Sequence, residues 1–60
     1  MINNNYELTG NVFIKDAFGI VYYRRHFESK VYMKGVIKAL IKQHKEKLET
    51  GHFYLSVMFD

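Results

Sequence analysis

The chain has sixty residues, with nine Lys and Arg against six Asp and Glu, a formal net charge of +3, 48% hydrophobic and 17% aromatic residues, and neither cysteine nor proline. That apolar content excludes intrinsic disorder, and the missing cysteines exclude a disulfide framework or a thiolate zinc site. One domain fits this length, near the lower limit of unaided folding, where only about 60% of the unfolded surface is buried.

Asn3, Asn4 and Asn5 mark residues 1–5 as a loose, solvated start. From Tyr6 to Lys15 the residues alternate, which predicts a half-buried strand over 6–15. Tyr6, Leu8, Gly10, Val12 and Ile14 share one side, and Glu7, Thr9, Asn11, Phe13 and Lys15 the other. Asp16-Ala17-Phe18-Gly19 reads as a four-residue hairpin loop in which Gly19 supplies a positive φ without steric cost. A second strand over 20–27 follows, rich in Val, Tyr and Phe. Pairing Lys15 with Ile20 sets Ile14 opposite Val21, Val12 opposite Tyr23, Gly10 opposite Arg25 and Leu8 opposite Phe27. This face is apolar apart from Arg25, and a slip of one residue would turn Val21, Tyr23 and Phe27 away from it.

Ser29 is suited to cap a helix, and Met33, Val36, Ile37, Leu40, Ile41, His44 and Leu48 recur at helical spacing. They predict one amphipathic helix over 30–49, stopped by Thr50-Gly51. Gly35 is expected to let that helix approach the sheet closely. Residues 52–59 form a third strand, with Phe53, Leu55, Val57 and Phe59 on one face and His52, Tyr54, Ser56 and Met58 on the other. A strand without charge from Phe53 to Phe59 reads as covered on both sides, and one helix covers one.

The order β-β-α-β gives a small α+β fold: a three-stranded antiparallel (or mixed) sheet with one helix on one face, 1–60 forming a single domain. With the first strand in the middle every pair is antiparallel and the crossover stays right-handed. Val12, Ile14, Val21, Tyr23, Val36, Ile37, Leu40, Leu55 and Val57 are the expected core.

The sheet face turned from the helix is the candidate partner surface. In this register it shows Phe13 beside Tyr22, with Ile20, Tyr54 and Met58, among Arg24, His26, His52, Thr9 and Lys15. Aromatic groups interleaved with cations suit the stacking of unpaired bases. They suit a dimer interface better, because so short a chain needs extra burial. Lys30, Lys34, Lys38 and Lys42 form a row about 18 Å long on the helix. They are candidate phosphate contacts, against the plainer reading of a solvated face.

His26, His44 and His52 have no metal-ligand spacing, Ser29 is a cap, and the carboxylates are scattered, so no catalytic, cofactor or metal residue is assigned. No apolar run approaches ~18 residues, and Met1 to Asn5 lacks the segments of a signal peptide, which predicts a cytoplasmic protein without a membrane partner. Phe, Tyr, Met, Ile, Asn and Lys, with AT-rich codons, make up 29 of the 60 residues. That bias points to a low-GC bacterium, its phages or its mobile elements. The reading favoured is a non-enzymatic homodimer that inhibits a host protein, such as a defence component, by occlusion. The alternative is a small nucleic-acid-binding protein using the lysine row and the aromatic-basic sheet face. No small-molecule substrate is expected.

Overall fold

The structure, a computed structural model, describes residues 8–60. Strands β1 (Gly10–Asp16) and β2 (Val21–Phe27) are followed by helices α1 (Lys30–Gln43) and α2 (Lys45–Glu49) and by strand β3 (Phe53–Phe59). The sheet order is β2-β1-β3 with both pairs antiparallel, so β1 is the middle strand, as the sequence predicts. The expected loose start and the strand residues Tyr6 and Glu7 lie outside the described residues. Leu8 and Thr9 precede β1 rather than belonging to it.

The β1–β2 register differs from the expectation by two residues. Val12 faces Arg25, Ile14 faces Tyr23, and Gly10 faces Phe27. Two separate one-residue shifts add to that difference. Asp16 is a strand residue, not the first of a four-residue loop, and its N–H donates to the Ile20 carbonyl at 3.1 Å. The loop is therefore three residues, Ala17 to Gly19, with Gly19 at φ 84°, the geometry in which a turn ends on a left-handed residue. A bulge follows, because Lys15 pairs with Val21 while Ile14 pairs with Tyr23, leaving Tyr22 without a partner. Together the shifts keep residues 23–27 on their expected faces and move residues 20–22.

Ser29 caps α1 as expected, its Oγ accepting from the Tyr32 N–H at 3.1 Å. The single helix over 30–49 is instead broken at His44, which has φ −122° and ψ 30°. The His44 ring stacks on Tyr23 of β2, with centroids 3.9 Å apart. The break lets α1 pack on β2 and β1 while α2 reaches β3. At five residues α2 is too short to persist alone, so it depends on that docking. Thr50 and Gly51 end it as predicted, Gly51 at φ 81° and its N–H donating to the Leu48 carbonyl.

Val12, Ile14, Phe27 and Leu40 are fully buried, with Met33, Val36, Ile37, Leu48, Phe53 and Leu55 packed round them. Phe27 is thus a core residue beyond those expected. Three expected core residues are not: Val21, Tyr23 and Val57 are 45%, 39% and 37% exposed. Val21 pairs with Lys15 and so faces away from the helices; Tyr23 lies on an edge strand. Val57 lies on the other edge, beyond the reach of α1. Gly35 does not mediate a close approach either, since a Cβ there would meet nothing within 4 Å. The close approach is at buried Gly10, where a Cβ would strike the Met58 carbonyl oxygen and the Phe59 backbone. No helix among the described residues is long and apolar enough to cross a membrane.

Candidate interaction surface

The face of the sheet turned from the helices is a three-by-three array. Its rows are His26–Asn11–Met58, Arg24–Phe13–Ser56 and Val21–Lys15–Tyr54. Phe13 is central, and the Lys15 Nζ lies 5.2 Å from its ring centroid, within cation–π range. Lys15 and Arg24 supply positive charge, His26 adds an imidazole, and none of the nine positions is a carboxylate. Glu28 approaches from outside, its Oε2 3.7 Å from the His26 Nε2.

Five of the eight proposed face residues are brought together here: Phe13, Arg24, His26, Tyr54 and Met58. Three are not. Ile20 lies opposite Asp16 in the loop end, because the shorter loop moves it off the face. Tyr22, released by the bulge, meets Phe53 edge to face at 5.1 Å and donates from its hydroxyl to Asp16 Oδ2 at 3.0 Å. Phe53 packs with the core, so Tyr22 belongs to the helix side. His52 precedes β3, its N–H donating to Thr50 Oγ1, at the end of the sheet remote from His26.

The lysine row is separated from this face by the whole layer. Met33, Val36, Ile37 and Leu40 turn α1 toward the sheet, which sends Lys34, Lys38 and Lys42 outward, and all four lysines of the row are exposed. A single footprint cannot use both.

The hairpin tip holds residues that composition alone did not single out. Asp16 Oδ1 accepts from the N–H groups of Phe18 (2.9 Å) and Ile20 (3.0 Å). Burial pushes the Asp16 carboxyl up, but the hydrogen bonds from Ile20, Tyr22 and Phe18 outweigh it and hold the group below its usual range. The Tyr22 hydroxyl is raised by its bond to Asp16, and further by burial and by the Asp16 charge. So pinned, the turn presents Phe18 at 90% exposure. An aspartate three residues before a glycine is the sequence signal for this turn.

On the outer edge, β3 exposes Tyr54 and Met58 on one side and Val57 and Phe59 on the other. Among the described residues no three His, Asp or Glu side chains gather as metal ligands would. No protein-family model, curated protein or solved structure matches this chain.

Proposed function

We propose that this chain is a small non-enzymatic binding protein that acts by occluding a host protein, and that it works as a homodimer joined through β3. The observation that carries the reading is β3 itself. It is an edge strand with apolar side chains exposed on both faces and, among the described residues, no strand along its outer side. An uncharged edge of this kind is a template for pairing with another chain. Pairing β3 with its symmetry mate extends the sheet to six strands and covers Val57 and Phe59, which the helices leave bare. The excess of residues with AT-rich codons supports a phage or mobile element as the source, and with it a defence component as the target. Light scattering at micromolar concentration tests the assembly. A dimer is expected, Tyr54→Lys with Met58→Lys gives a destabilised monomer, and a folded wild-type monomer overturns the interface.

One observation favours a second reading. The open face gathers Lys15, Arg24 and His26 round Phe13 with no carboxylate in the array, which suits an unpaired nucleic-acid strand. This footprint excludes the lysine row. Oligonucleotide binding that weakens with salt and with Arg24→Gln, but not with Lys34→Gln, supports it.

A further inference from the structure

We propose that the concavity at the α1–α2 break binds a phosphate-bearing ligand, with Phe53 receiving a planar ring attached to the phosphate. Lys42 from the last turn of α1, His44 at the break, and Lys45 and Lys47 from α2 line this hollow of ≈ 640 Å³, with Phe53 beneath and Glu46 as its one carboxylate. In an unbroken helix Lys42 and Lys47 would point roughly 140° apart. With the interruption at His44, whose ring stacks on Tyr23 at 3.9 Å, both residues border the same hollow, Lys42 from its outer rim. The Lys47 Nζ comes to 4.5 Å from the Phe53 centroid.

The one ion pair among the described residues is that of His26 with Glu28, on another part of the sheet. No described carboxylate therefore stands within ion-pair distance of Lys42, Lys45 or Lys47, although Glu46 borders the same hollow. Three lysines bordering one hollow carry like charges that repel one another, and an anion seated among them relieves that repulsion. Phosphate is the fitting anion, since its several oxygens accept from several ammonium donors at once. Phe53 is half-buried, with Tyr22 against its ring at 5.1 Å. The Lys47 ammonium lies over this ring, so a base stacks on Phe53 as Lys47 moves from the ring to the phosphate. The chemistry is that of a nucleotide unit, from a free nucleotide or a single strand. The site faces the helix side and takes only Phe53, the first residue, from β3.

Amide NMR titration of the full chain tests this with three probes: inorganic phosphate, ATP and an oligothymidylate. ATP is expected to shift the amides of residues 42–50. Lys45→Gln with Lys47→Gln should weaken ATP binding about tenfold or more, as expected for lost charge-assisted bonds. Lys34→Gln with Lys38→Gln, on the outward face, should leave it unchanged. Phe53→Leu should weaken ATP and leave inorganic phosphate unaffected. Tighter binding of the oligothymidylate, falling steeply with salt, assigns the site to single strands; binding of ATP alone assigns it to free nucleotides. Absence of shifts with every probe at millimolar concentration overturns the proposal. So does equal weakening by the two double variants, because that is the behaviour of diffuse charge.

Discussion

The rings of Phe27 and Phe59 meet edge to face, centroids 6.1 Å apart at 82°, although the two residues stand on opposite edges of the sheet. Gly10, facing both from the middle strand, makes the contact possible because it has no side chain to keep them apart. The pair closes the end of a core in which, among the described residues, four side chains are fully buried. Edge-to-face geometry sets the positive ring edge against the negative ring face.

Gly10→Ala is therefore expected to destabilise the fold by about 1–3 kcal/mol, the usual cost of overpacking. The added methyl group meets backbone at Met58 and Phe59, and backbone cannot rotate aside as a side chain can. Urea denaturation reads the effect, and an unchanged midpoint would show that β3 moves freely from β1.

Leu40→Ala should cost about 2–5 kcal/mol, enough to unfold much of a domain with so thin a margin. Leu40 is the one fully buried residue contributed by the helices. Val31→Ala, at an exposed position of the same helix, should stay within about 0.5 kcal/mol of wild type. Thermal melts of the two variants that coincide would contradict the packing of α1 on the sheet.

The Asp16–Tyr22 pair gives the hairpin a pH dependence at both ends of the scale. Because folding lowers the Asp16 pKa, its contribution is complete above the ordinary carboxyl value and fades as pH falls through the lower folded value. The Tyr22 pKa is raised, so its contribution is complete below the ordinary phenol value and fades as pH rises through the higher folded one. A ring-carbon NMR titration of Tyr22 should show a midpoint above that of free tyrosine, and Asp16→Asn should lower it. A Tyr22 midpoint unmoved by Asp16→Asn would exclude the hydrogen bond.

Tyr23→Ala should release α2 while α1 persists. The stacked His44 ring holds the break against β2, and without it α2 keeps only its contact with β3, too little for five residues to remain helical. Carbon chemical shifts for residues 45–49 should move to coil values, with those of 30–42 unchanged. A merged helix over 30–49 in this variant would show that Tyr23 causes the break; an intact α2 would show that it plays no part.

Much of the architecture was legible before any coordinates. Alternation at Gly10, Val12 and Ile14 marked β1, the helical spacing of Met33, Val36, Ile37 and Leu40 marked the buried stripe of α1, and Ser29 marked its start. The middle place of β1 followed from making every strand pair antiparallel while the crossover stays right-handed. These signals are local, because strand and helix periods report only which side of its own element a residue occupies.

What the sequence by itself determined was this parity, and the tertiary structure decided everything that requires two elements to meet. Two one-residue shifts leave residues 23–27 on their expected faces, so alternation could not distinguish the observed register from one displaced by two. The Asp16 hydrogen bonds and the bulge at Tyr22 chose between them, moving Ile20 and Tyr22 off the open face and Val21 onto it. The helical period runs smoothly through His44, and only the structure shows a break there, where the His44 ring stacks on Tyr23 of the neighbouring strand. The lysine row and the aromatic-basic face each stand out in the sequence. Only the packing of α1 on the sheet shows that they point to opposite sides, since no residue in either one records the position of the other.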